Sequence, residues 1–350
     1  MTELREKYRG LQNLAAGMII LVLAAVILKT LAFIFIPFSM ALLLYYALGM
    51  PIEFLVRFKL PNYVRIVIVV FAVLVVLFLL GRLIHVNILQ FQQQLPLFEK
   101  KFWEYNSLLL DRLGASQEDA KAMYESFLAN LQESGLQPFG NFLKRLGGSF
   151  FGFLGNCLWV LLFFIFFLAE QQSMTQRLTL AFGKEQGQSI IRAGRNINKA
   201  VQHYLGLKTM VSFLTGFLVA LMLWLLDVPF ALLWGVLAFI ANFIPNIGSL
   251  LASVPPIAMT LFQSGSLSKT MIVTVLIITI QMAVGNFLEP KLMGRGLNLS
   301  PLVVLLALIF WGWMWGLTGM LLAVPLTAAI KIGLEQNEQT RSVALMMSGK

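Results

Sequence analysis

The chain has 350 residues, 59% of them hydrophobic and only 12% charged, with a mean hydropathy of +0.82. Soluble domains run at about 45–50% apolar and about 25% charged, so an ordinary water-soluble fold is excluded. The formal net charge of +10 comes from 26 Lys and Arg against 16 Asp and Glu; the cations lie between apolar runs, where they orient spans and meet anionic headgroups of the lipid bilayer, and no nucleic-acid partner is expected.

In chain order, the basic MTELREKYRG leads into an apolar run that lacks a small-residue cleavage site, so it reads as a retained first helix. Residues 12–28 and 31–50 are two apolar runs parted by Lys29 and Thr30, a tight helical pair. The loop PIEFLVRFKLPNYVR adds Arg57, Lys59 and Arg65, and a third span covers 66–89. Because that loop and the N-terminal Arg5, Lys7 and Arg9 share a side while the first turn carries only Lys29, the N-terminus is placed in the cytoplasm.

Residues 90–149 are polar. Phe91, Leu95, Phe98, Phe102, Tyr105 and Leu109 are spaced alternately four and three, a seam of the kind a helix shows when it packs on another helix, and Gly114 ends it. Ser116 and Asp119 then resemble a helix start. Balanced charge suits an extracytoplasmic helical insert, either an oligomerisation or partner surface or a hairpin lying on the membrane.

A Phe-rich fourth span covers 150–169, and residues 170–208 carry the strongest positive excess, which marks a cytoplasmic segment with an amphipathic helix along the surface. A fifth span, 206–226, returns outward to Asp227. Next comes ALLWGVLAFIANFIPNIGSLLASVPPIAMTLF, whose halves of about 14 residues are too short to cross a core of roughly 30 Å, so the interruption at Pro245, Asn246 and Gly248 marks a re-entrant tip. A sixth span, 270–288, leads to GNFLEPKLMGRGLNLS on the cytoplasmic side. A second broken segment, 301–330, turns near Gly312, Gly316 and Gly319 and contains Pro325.

The two broken segments repeat. GSLLASVPP from Gly248 matches GMLLAVPLT from Gly319 with one gap, and each hairpin follows a full span but enters from the opposite face. That is the inverted-repeat plan of secondary transporters, with binding near the midplane. The expected fold is an all-α polytopic membrane protein of about six full spans plus two re-entrant hairpins. Its expected divisions are N-terminal helices (1–89), the insert (90–149), a fourth span with its basic segment (150–205), a core bearing both hairpins (206–331) and a cytoplasmic tail (332–350).

Asn242, Ile244, Pro245 and Gly248 form an Asn-x-Ile-Pro-x-x-Gly element, and Glu289, Pro290, Lys291, Met293, Gly294 and Arg295 form Glu-Pro-Lys-x-Met-Gly-Arg. In these elements the chain resembles the autoinducer-2 exporter family of bacterial inner-membrane proteins, most closely from about residue 190 onward. Asn246 and Ser300 stand where that family often has an aromatic residue and a histidine. The resemblance implies a multi-pass inner-membrane protein, homo-oligomeric, that exports a small solute. Some members are described as exporting autoinducer-2 and others as sodium/proton antiporters. Both termini are expected in the cytoplasm.

The chemistry favours an uncharged polar solute held by Asn242, Asn246, Gln281 and Asn286 near Pro245 and Gly248. An antiporter needs a carboxylate within the membrane, and the broken segments have none; Glu289 ends the sixth span. Glu289, Lys291 and Arg295, with Gly294, are either an interfacial salt bridge or a charged latch closed in one conformation only. No enzyme activity, cofactor or metal is expected: Cys157 is the single cysteine, His85 and His203 lie on different spans, and there is no HExxH or phosphate-binding glycine loop. A non-transporting scaffold built on the insert is the remaining alternative.

Overall fold

The structure is a computed structural model of the chain; it describes residues 17–20, 22–49, 55, 57–58, 60–113, 150–245, 247–293, 297–336 and 338–349. The fold is helical, and among the described residues the only strand-like feature is an antiparallel bridge between Leu299 and Ser348.

Helices α1 (Gly17–Thr30) and α2 (Ala32–Ala47) are bent by 87° at Leu31 and are long and apolar enough to cross a membrane only when taken together, where the sequence leads one to expect two spans. Helix α3, Asn62–Leu113, contains the third span as Tyr63–Asn87 and runs on past residue 90 without a break. Leu113 is its last described residue; the expected end at Gly114 and the rest of the insert, 114–149, lie outside the described residues.

The stretch α4, Phe150–Leu225, is two helices that meet at a kink at Gly183 (φ 75, ψ 175); it covers the residues expected as the fourth span, where the apolar helix Cys157–Glu170 is short, then the basic segment and the fifth span. Its last third buries Val201, Leu205, Lys208, the adjacent Val211 and Ser212, Thr215, Val219 and Leu223, otherwise at steps of three and four, one stripe of a helix. Two helices then form a hairpin, α5 (Ala231–Ala241) and α6 (Ile247–Ser264). Helix α7, Leu267–Gln281, passes into a π-helical turn, Met282–Leu288, and a short α8, Glu289–Met293. Helix α9 is Pro301–Glu335 and α10 is Arg341–Met346.

By length and composition, α9 is long enough to cross a membrane, as are Tyr63–Asn87, Ile190–Leu225 and Leu267–Leu292; counting the α1–α2 pair as one span makes five among the described residues. Helix α9 is nevertheless interrupted at Trp315 (φ −128, ψ 16) and Gly316 (φ 62, ψ −141). The Trp311 Nε1 donates to Thr327 Oγ1 at 3.2 Å, whereas residues so far apart on a straight helix would be separated by about 24 Å. The chain therefore doubles back, and α9 is a second helical hairpin.

The described residues fall into two compact units. One gathers 1–49, 159–205 and 296–350; there α2 packs on α9, and Phe38 meets Phe163 and Phe167 with ring centroids 5.6 and 5.2 Å apart. The other gathers 50–158 and 206–295, with a core of Val219, Leu223, Trp234, Ala238, Ala252, Met259, Val273 and Ile277. In each unit a glycine starts the return arm of a hairpin. A Cβ on Gly248 would overlap the Ala241 carbonyl, and one on Gly319 would overlap the Trp311 carbonyl. The two residues aligned by the sequence repeat thus do the same work, letting the arms of their own hairpin touch.

Candidate functional site

Within the second unit a cavity of about 420 Å³ lies between Lys208 in the last third of α4, the α5–α6 tip and the end of the sixth span. Its polar wall is Asn242, Ser249, Ser253, Gln281 and Asn286, joined by Lys208 and Glu289. The volume falls in the range of small-molecule sites, about 300–1,000 Å³, and a few converging polar groups among apolar ones are what such sites use for orientation.

Asn242 follows the last residue of α5 and is almost fully buried; its Nδ2 donates to Ser212 Oγ at 3.0 Å. Ser212 stands one turn after Lys208 on the buried stripe of α4, so one helix face fixes both the amide and the ammonium. Pro245 and Ile244 line the cavity from the tip, where the chain is held by bonds from the Ile244 N–H to the Ala241 carbonyl (2.8 Å) and from the Gly248 N–H to the Ile244 carbonyl (3.1 Å). Gly248 itself is in the first turn of α6, behind the tip.

Glu289 is bound to Lys208: Nζ to Oε1 is 2.5 Å, with the two side chains 4% and 19% exposed. A buried lysine is tolerable only against such a partner. The sequence places Lys208 among the cations of a cytoplasmic loop and offers Lys291 or Arg295 as the partner of Glu289; among the described residues Glu289 pairs with Lys208, 81 residues away. Lys291 is exposed on α8. Gly294, Arg295 and Asn246 lie outside the described residues. A signal for Lys208 existed in the chain: it is a lone cation a turn ahead of Val211, Ser212 and Thr215 in an apolar run, and charge inside a span is costly enough to point to function.

Of the residues expected at the second tip, only Gly316 sits at the break. Its left-handed φ of 62 is one that a side chain would strain. Gly312 is on the outgoing arm, where a Cβ would meet the Met320 side chain, and Gly319 is on the return arm. Pro325 is buried farther along that arm.

The family model of AI-2E family transporters matches residues 17–338. The chain belongs to the AI-2E transporter family. A Haemophilus influenzae protein named "Putative transport protein" is 34% identical over 343 residues, covering 97% of this chain and 96% of that protein. The AI-2 transport protein TqsA of Escherichia coli K12 is 34% identical over 337 residues, covering 95% and 94%. The family is one of transporters, in keeping with an all-helical chain that has several helices long and apolar enough to cross a membrane. Among the described residues of this AI-2E transporter no group of three or more His, Cys, Asp or Glu could hold a metal ion.

Proposed function

We propose that this transporter exports a small, polar, uncharged solute from the bacterial cytoplasm across the inner membrane, with the α4–α8 cavity as its binding site. A solute of the autoinducer-2 kind leads the candidates, because a relative alike over nearly its whole length is named an AI-2 transport protein. The observation that carries the reading is the convergence of Asn242, Gln281 and Asn286 on one cavity beside the Pro245 tip. Three amides offer both donors and acceptors without charge. The α5–α6 and α9 hairpins are read as re-entrant, in an inverted repeat, since irregular backbone at membrane depth is tolerated where it is buried in protein or lines a watery cavity. The Lys208–Glu289 pair serves as the latch, closed here and open when the solute passes. The working unit is a homo-oligomer, with both termini cytoplasmic.

A second reading, sodium/proton antiport, is favoured by the same ion pair, which brings a carboxylate to the cavity wall. Inverted vesicles carrying the protein separate the two. Export of solute predicts accumulation of a labelled autoinducer-2-type solute in inverted vesicles, lost with Asn242→Ala or Gln281→Ala. Antiport predicts a sodium-dependent proton signal with no solute present, unaffected by Gln281→Ala. Accumulation that persists unchanged in both alanine variants would overturn the cavity assignment.

A further inference from the structure

The wall that the sixth span gives to the cavity is only partly α-helical. Residues Met282–Leu288 form a π-helix, and the Glu289 N–H donates to the Val284 carbonyl, five residues back. Pro290 follows at once. A proline inside an α-helix has no N–H to give the carbonyl four residues earlier, and its ring collides with that carbonyl. Here that carbonyl belongs to Asn286. A π-turn widens the helix by one residue and is a known way to take up such an irregularity.

The turn decides which side chains meet. Gln281 and Asn286 are five residues apart, and at 3.6 residues per turn an α-helix would set them about 140° apart, on different faces. Bonding from i to i+5 stacks them instead, and both line the cavity, as does Glu289. Unwinding the turn into α-helix would rotate everything after it by about one residue, near 100°, and carry Glu289 away from Lys208.

We propose that Pro290 is the positioning residue of this cavity: it enforces the π-helical turn, and the turn puts Asn286 and Glu289 on the face of Gln281 and within reach of Lys208. The functional meaning rests on the cavity reading above, but the geometry can be tested without a solute. Pro290 is exposed, so alanine there leaves no void.

The test is cross-linking in membranes with a short bismaleimide, using Lys208→Cys with Glu289→Cys in a chain whose only cysteine is removed by Cys157→Ser. With Pro290 present the pair should cross-link. Pro290→Ala should lose the cross-link, because the turn relaxes to α-helix. Deleting Ala283 alone should also lose it, because Pro290 still imposes a π-turn, which now carries Glu289 one residue out of register. Combining the two should restore it, since an α-helix one residue shorter returns the same face to the cavity. A cross-link that survives Pro290→Ala overturns the proposal, and so does its absence in the combined variant. Should Pro290→Ala fail to fold, the combined variant against the Ala283 deletion decides alone. If this reciprocal pattern holds while Asn242→Ala and Gln281→Ala leave solute accumulation unchanged, the binding-site reading fails and the role of Pro290 stands.

Discussion

Lys208 and Glu289 carry opposite consequences depending on whether one or both are removed. Taking away one partner of a buried pair leaves an uncompensated charge and costs about 3–5 kcal/mol, whereas replacing both with apolar residues is often neutral. Glu289 keeps some exposure, so the lower end of that range applies. Lys208→Met is expected to lower the melting temperature of the detergent-purified protein sharply, and Lys208→Met with Glu289→Met to recover most of it without recovering transport. Recovery of transport along with stability would show that the pair is only structural. Glu289→Gln, which keeps shape and hydrogen bonding but not charge, should assemble normally and fail to transport; normal accumulation in vesicles would remove the latch. Glycines differ at the same scale. Gly248→Ala and Gly319→Ala each force a Cβ into a backbone carbonyl and should each destabilise the protein, while Gly194, with open space around its Cβ, should gain about 0.5–1 kcal/mol as alanine. Parallel thermal melts of the three variants check the contrast.

Among elements, the sharpest contact joins two interruptions. The α1–α2 bend at Leu31 deprives the preceding carbonyls of helical partners. The Trp315 Nε1, at the break in α9, donates to the Leu28 carbonyl at 3.1 Å, and the Lys29 ammonium lies 3.8 Å from the centre of the Trp313 ring. The tip of one hairpin therefore caps the elbow of another pair within the same unit. Trp315→Phe keeps the ring and removes only the donor; leaving a buried acceptor unsatisfied costs about 1–3 kcal/mol, and the Leu28 carbonyl, part-buried, belongs at the lower end. The expected outcome is a lower melting temperature with an unchanged helical circular dichroism spectrum at low temperature. Lys29→Met, which loses a cation–π contact worth about 0.5–2 kcal/mol, should do less. The element scale is also where the chain was easiest to read. Apolar runs broken by Gly and Pro announced both hairpins, since too few residues stood on either side of each break to cross a bilayer. The continuity of α3 past residue 90 was harder to read, because a helix does not register where lipid ends.

For the whole molecule, large apolar side chains such as Phe33, Phe71, Trp224 and Trp313 stand more than half exposed. Patches of that size are not sustained in water and mark the lipid-facing surface. The protein should stay with membranes through an alkaline carbonate wash and leave them only with detergent; release by carbonate alone would contradict the polytopic fold. Composition and periodicity determined that much unaided: the bilayer sets span length and demands closed backbone hydrogen bonding, and both demands are written locally in runs of about 20 residues. The same local logic aligned Gly248 with Gly319 and collected Asn242, Gln281 and Glu289 as candidates. What only the tertiary structure decided was which charges meet. Lys208 and Glu289 belong to different helices, their approach depends on a π-turn that shifts one face by a single residue, and no local pattern encodes the angle at which two distant helices present their side chains.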